Sequence, residues 1–245
     1  MATPAPGRRT MTHMATRLLS SLGDVSQVPR VGNWWRQRGR RNALFVHIPK
    51  TAGQTVAHEL DVCKLVSIPA IRFRSPWCGR LTFGHIHYPT LCQHGHVPDA
   101  FRRTAFTFTF VRNSWDRLVS LYHYLRGRRW AMHPSTNFRT FLYLVRDHAF
   151  EEPGLFNAVG ISQAASQLAW IRSDGTEFPS FIGRYENLAA DLAIVAGEIG
   201  CPDAALRSCL NPSSRGHYRD YYDAELRDLV ANVYEEEIDR FTFRF

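Results

Sequence analysis

Lysine is nearly absent from this chain: of its 30 basic residues only Lys50 and Lys64 are lysines, and the rest are arginine. A codon-composition bias produces the same balance, so it names no partner by itself, but it makes each lysine conspicuous. No run approaches the about 18 consecutive apolar residues that a membrane-crossing helix needs. The first residues also lack the apolar stretch of a secretion signal, so a soluble protein is expected. The five cysteines, Cys63, Cys78, Cys92, Cys201 and Cys209, are odd in number and share no repeated spacing. That pattern argues against a disulfide framework and for reduced thiols in a reducing, cytoplasmic setting. The spaced glycines and Gly-Lys-Ser/Thr ending of a Walker A loop are missing too, which leaves an ordinary nucleoside triphosphatase little support. Without repeats or an interdomain linker, the chain reads as one folded domain behind an arm.

What is present is enough for a core: 245 residues, 44% hydrophobic and 13% aromatic. The formal net charge of +8 lies mostly in residues 1–41, where Arg8, Arg9, Arg17, Arg30, Arg36, Arg38, Arg40 and Arg41 face only Asp24 (8 − 1 = +7), leaving +1 for the remainder. Residues 1–41 therefore read as a basic, flexible N-terminal arm, with Met11 or Met14 as alternative starts, and residues 42–245 as the folded domain. An electrostatic arm for nucleic acid, a membrane or a polyanionic substrate is the functional alternative. Nucleic acid is not the expected partner, because the domain itself is near neutral.

Leu44 to Thr55 reads as a buried strand ending in a small, basic, hydroxyl-rich turn, with a helix opening at Val56, Ala57 and Leu60. Backbone N–H groups at a helix N-terminus and the helix dipole favour an anion, and Lys50, Thr51 and Thr55 would complete its site. A second unit follows: the alternating strand Phe106–Val111, a turn at Arg112-Asn113-Ser114 where Asn or Ser can cap, and a helix burying Trp115, Leu118, Val119, Tyr122 and Leu125. Further elements are a short strand at Lys64–Ile68, an arginine-bearing loop from Pro69 to Arg80 and an apolar run from Leu81 to Pro89. A helix opened by Pro134-Ser135-Thr136 buries Phe138, Phe141, Leu142 and Val145, and another is expected over Gln163–Ile171. Phe178–Arg184 reads as a strand, followed by a helix with Leu188, Leu192, Val195 and Ile199 inward that Gly200 and Pro202 end. The last helix turns in Leu226, Leu229, Val230 and Val233, and Phe241 to Phe245 packs the chain end. Strands alternating with helices give an α/β fold with a mainly parallel central sheet flanked by helices.

One strand–turn–helix with a surface lysine is explained as well by a structural turn as by a site. Two such units, each delivering a cation to a helix start beyond a strand's carboxyl end, suit a ligand with two separated anionic ends. His47-Ile48-Pro49-Lys50-Thr51-Ala52-Gly53-Gln54-Thr55 together with Phe110-Val111-Arg112-Asn113-Ser114-Trp115-Asp116-Arg117-Leu118-Val119-Ser120 resembles the paired motifs of sulfotransferases. These enzymes use 3′-phosphoadenosine 5′-phosphosulfate (PAPS) as donor. The likeness is greatest to the carbohydrate group that includes heparan sulfate 2-O-sulfotransferase, in a bacterial-type form. It extends over residues 42–245 through Gly183-Arg184-Tyr185-Glu186-Asn187-Leu188 and Tyr218-Arg219-Asp220-Tyr221-Tyr222. The resemblance implies the P-loop-NTPase-like sulfotransferase fold. It also implies that Lys50, Thr51, Ala52, Gly53, Gln54 and Thr55 hold the 5′-phosphosulfate and Arg112 and Ser120 the 3′-phosphate, while Ser214 and Arg215 lie in a loop that closes over the nucleotide.

The chemistry asks for a base at the acceptor hydroxyl and a cation at the leaving phosphate. Imidazole, with a pKa of about 6.5, suits the first task. Gly84-His85 resembles the family's Gly-His, which makes His85 the expected catalytic base; His87, two residues on along the same strand face, is the runner-up. Lys50 would neutralise the bridging oxygen as the S–O bond breaks. His85, His87, Cys92, His94 and His96 are also zinc-ligand types, but their spacing fits no standard zinc pattern, so no metal is expected. Two other classes stay in view: a magnesium–ATP kinase or phosphotransferase on a related scaffold, and a non-enzymatic polyanion binder working through the arm. The expected acceptor is a hydroxyl of a glycan or glycosylated small molecule entering past Arg72 to Tyr88, where Arg72, Arg74, Arg126, Arg128 and Arg129 could form a cationic patch.

Overall fold

The computed structural model describes residues 43–61, 72–75, 79–82, 103–126, 132–147, 162–173, 175–201, 204–207 and 215–245. The basic arm, the strand expected at Lys64–Ile68, the Phe83–Pro89 segment with His85 and His87, the other candidate zinc ligands, Arg128, Arg129 and Ser214 lie outside those residues.

Among the described residues three strands form a parallel sheet, β1 (Ala43–Val46), β4 (Phe106–Val111) and β7 (Phe181–Arg184), with β4 in the middle. Val46 pairs with Thr109 and Val111 with Arg184, so the carboxyl ends of β1 and β4 emerge at one edge. Strict alternation makes β4 a two-faced wall. Phe106, Phe108 and Phe110 point into one layer with Phe45 and α1 (Gly53–Asp61), packed with Leu188, Leu192 and Val195 of α5 (Leu188–Glu198). Leu44 and Val46 face the opposite layer, built from α2 (Ser114–Arg126), α3 (Phe138–Arg146), α6 (Ala224–Val233) and α7 (Glu235–Phe241). The mainly parallel sheet with helices on both faces is therefore present as expected. Thr109, fully buried in β4, satisfies its hydroxyl by donating to the Val46 carbonyl across the strand pair at 2.7 Å.

Several local expectations change. In place of the loop expected from Pro69 to Arg80, an antiparallel pair forms, β2 (Arg72–Ser75) with β3 (Gly79–Thr82), which runs two residues into the apolar stretch from Leu81 and sets Arg74 opposite Arg80. The helix opened by Pro134 starts only at Phe138, because Asn137 caps it by accepting from the Thr140 N–H at 2.8 Å. The helix expected over Gln163–Ile171 is reduced to α4 (Leu168–Ile171), followed by the short antiparallel pair β5 (Arg172–Ser173) and β6 (Thr176–Glu177). The last helix is two, α6 and α7, and Val233 is exposed at the break between them rather than buried. Gly200 ends α5 as expected, at φ 75°. Its N–H bonds back to Gly197 and that of Cys201 to Ala196, the paired closure that a left-handed glycine allows.

Cys201, buried at that corner, is disulfide-bonded, and its partner lies outside the described residues. This corrects the reading of all five cysteines as reduced thiols. An odd count is equally met by one bond plus three thiols, and irregular spacing says nothing about which cysteines meet in space. The basis for a reducing compartment goes with it. Protein denatured without reductant should accordingly titrate no more than three thiols of its five; five would contradict the bond. Among the described residues no helix is long and apolar enough to cross a membrane.

Candidate active site

Both turns expected to carry chemistry sit at the carboxyl edge of the sheet. After β1, Ile48 and Thr51 are fully buried, and the Thr51 hydroxyl donates to the Ile48 carbonyl at 3.0 Å, closing the turn on itself. Lys50 and Ala52 both adopt left-handed backbone, at φ 69° and 66°. Each costs about 1–2 kcal/mol for a residue with a Cβ, and such strain persists only where the surroundings impose it. Alternating left-handed residues ahead of a helix start turn successive N–H groups to one side, the shape of an anion nest. Gly53 opens α1 because nothing larger fits: a Cβ there would lie 2.0 Å from Cδ2 of His47, whose ring stacks on Phe45. Gly53→Ala must displace that ring. We expect a loss of about 1–3 kcal/mol, visible as a lower melting temperature, and a weakened cradle; an unchanged melting temperature would contradict the close contact.

Asn113 caps the second helix, its side-chain oxygen accepting from the Trp115 N–H at 3.1 Å. Arg112, just before it, is buried and held from three sides. Its Nε and Nη2 engage Asp116 one helical turn on, at 2.8 and 2.7 Å, and its guanidinium lies 3.7 Å from the centre of the Tyr185 ring. Its Nη1 donates to the Lys50 carbonyl at 3.2 Å. Nε and Nη1 make the hydrogen bonds and Nη2 adds the ion pair, so the donor fork is not used up by these contacts. The Nη1 bond joins the two turns directly, across sixty-two positions of chain.

Supports for Arg112 come from far along the sequence. The Gln167 side chain brackets its peptide, accepting from the Arg112 N–H and donating to its carbonyl, both at 2.8 Å. That amide in turn donates to Glu237 of α7, a buried carboxylate that also accepts from Ser114 at 2.6 Å and Ser166 at 2.9 Å. Glu186 accepts from the Asn113 N–H at 2.6 Å, and the Asn113 amide donates to the Arg244 carbonyl at 2.8 Å. The chain end is locked in nearby: Phe245 lies edge-on to the rings of Trp115, Tyr218 and Tyr222. Arg215 forms an ion pair with the other oxygen of Asp116, so this one carboxylate holds two arginines side by side. Ser120, buried on the same helix, makes no hydroxyl hydrogen bond among the described residues, and His123 follows it by one turn. Burial, then the charges of Arg215 and Arg126, hold the His123 imidazole below its ordinary value, and its Nε2 meets the Tyr221 hydroxyl at 2.7 Å. Burial likewise pushes the Tyr222 phenol well up; it bonds to the Trp115 carbonyl at 2.9 Å.

The structure thus places Lys50, Thr51, Ala52, Gly53, Gln54 and Thr55 in the turn and first helical residues after β1, and brings Arg112 and Arg215 together on Asp116 at the neighbouring helix start, with Ser120 buried further along that helix. His85, His87 and Ser214 are outside the described residues. Asp116, Tyr185, Gln167 and Glu237 also belong to this arrangement, and the sequence expectations gave them no part in it. Only the Arg112–Asp116 spacing of four carried a local signal.

A parallel α/β sheet with paired, cation-bearing strand-to-helix turns at one edge defines a class of proteins suited to anionic, two-ended ligands. Within that class the assignment is specific: the model of the Sulfotransferase family matches residues 36–244, and the chain belongs to that family. The match takes in residues 36–41, which the charge pattern assigns to the arm. No curated protein matches the chain.

Proposed function

We propose that the chain transfers the sulfuryl group of PAPS to a hydroxyl of a carbohydrate or glycosylated small molecule, releasing adenosine 3′,5′-bisphosphate. The observation that supports a two-ended nucleotide most directly is the bond from Arg112 to the Lys50 carbonyl. It ties the two cradles into one surface, so anions at both ends of one ligand can be held at once. In this reading the backbone N–H groups of Lys50 to Thr55 take the 5′-phosphosulfate, Arg112 and Ser120 take the 3′-phosphate, and Ser214 and Arg215 belong to the loop over the nucleotide.

PAPS supplies the activated sulfur when bound. His85 accepts the proton of the acceptor hydroxyl as that oxygen forms its bond to sulfur. Lys50 faces the bridging oxygen, which keeps the electron pair of the breaking S–O bond, and a cation already in place there lowers the barrier more than it tightens binding. His87 is the alternative base. The acceptor preference follows the likeness to the heparan sulfate 2-O-sulfotransferase group; with +1 left outside residues 1–41, the domain's charge does not by itself favour a long polyanion. No observation favours the kinase or the polyanion-binding alternative.

The base assignment is testable with labelled PAPS and a panel of sugar acceptors. His85→Ala should bind the bisphosphate product about as well as wild type yet lose about 10²- to 10⁴-fold in turnover. Normal turnover in His85→Ala with a dead His87→Ala would move the base to His87, and normal turnover in both would remove the histidine base altogether.

A further inference from the structure

Lys50, one of two lysines in the chain, has a neighbour that no sequence pattern announced. Its Nζ lies 4.4 Å from the centre of the Tyr124 ring, over the face. Tyr124 belongs to α2, one turn beyond Ser120, and its half-buried ring packs against the core layer that contains Trp115, Leu118 and Leu125. The ring is therefore a fixed surface. Lys50, by contrast, stands on a turn whose left-handed backbone aims the side chain, and its four-carbon stem carries about 2 kcal/mol of rotamer entropy. A cation over an aromatic face is stabilised by the ring quadrupole, more strongly as water is removed. Tyr124 supplies that face from the helix that opens at the other cradle.

We propose that Tyr124 is a positioning residue for Lys50: its ring face holds the ammonium against α2, so the cation is already placed when donor and acceptor arrive. The proposal rests on the sulfotransfer reading for its kinetic consequence, though not for the contact itself. An ammonium restricted in advance loses less freedom on reaching the oxygen where charge develops, and so benefits turnover more than donor binding. The hydroxyl of Tyr124 has no part in this, which separates the proposal from a hydrogen-bonding or general-acid role.

The scarcity of lysine makes a direct test practical. Reductive methylation of the full chain with labelled formaldehyde reports on only three amines, the α-amino group, Lys50 and Lys64, and keeps their charge. The Lys50 resonance is identified by its loss in Lys50→Arg. Its methyl protons should be shifted upfield by the ring in wild type and in Tyr124→Phe, and should return toward the free-lysine position in Tyr124→Leu. In parallel, Tyr124→Leu should lower kcat with labelled PAPS by about two- to thirty-fold, with a smaller change in donor KM, and Tyr124→Phe should restore it. Absence of the upfield shift in wild type, or a Phe variant as impaired as Leu, overturns the proposal. The two arms separate the claims: an intact shift in a protein that transfers no sulfuryl group under any condition supports the Lys50–Tyr124 contact and sinks the reaction assigned to the site, whereas active enzyme without the shift sinks the contact alone.

Discussion

Replacing Arg112 with alanine is expected to weaken binding of adenosine 3′,5′-bisphosphate by about 30- to 1000-fold, the equivalent of about 2–4 kcal/mol. Three separate losses add up in this variant. The guanidinium donors proposed for the 3′-phosphate disappear. Asp116 keeps only Arg215, which leaves a carboxylate less compensated beside a site meant for an anion. The bond from Arg112 to the Lys50 carbonyl is lost, and with it that tie between the strained first turn and the second. Lysine should not rescue the loss. An ammonium cannot span Asp116 and the Lys50 carbonyl while lying flat on Tyr185, a task that needs a planar fork. Titration calorimetry on Arg112→Ala and Arg112→Lys, with melting temperatures recorded alongside, separates loss of the ligand contacts from loss of the fold; wild-type affinity in either variant would contradict the assignment.

Lys50→Ala carries the other large effect, this time on the reaction. Removing one preorganised group that stabilises developing charge commonly costs about 10²- to 10³-fold in kcat, and that is the loss expected here. Alanine and lysine bear nearly the same penalty for a left-handed backbone, so the substitution leaves the turn's strain unchanged and isolates the side chain. Bisphosphate affinity should fall much less than turnover, since the backbone N–H groups of the turn remain. Single-turnover measurements with saturating PAPS check this; a variant that loses affinity in proportion to rate would make Lys50 a binding group rather than a transition-state group.

The alternation of Phe106-Thr107-Phe108-Thr109-Phe110 and the helical spacing of Trp115, Leu118, Val119 and Tyr122 reflect burial on fixed faces, and they placed both strand–turn–helix units correctly. The supports of Arg112 were not legible, because Gln167, Tyr185 and Glu237 reach it through contacts separated by tens of residues or more. Gln167 illustrates the difficulty: it sits in a stretch with apolar helical spacing, yet its side chain leaves that pattern to bracket the Arg112 peptide, and the regular helix begins only at Leu168. Val233 misled for the opposite reason, lying on the buried periodicity of α6 but at its final residue, where the chain turns into α7 and the face opens to solvent. The left-handed residues Lys50 and Ala52 gave no warning either, since positions of that kind usually call for glycine.

The account stands or falls on whether the two cradles hold one two-ended nucleotide. Titration calorimetry of the wild-type chain with adenosine 3′,5′-bisphosphate, adenosine 5′-monophosphate and adenosine 3′-monophosphate tests this directly. The account predicts one bisphosphate per chain, bound far more tightly than either monophosphate, each of which occupies a single cradle. No binding of the bisphosphate, or equal affinity for all three, would contradict it.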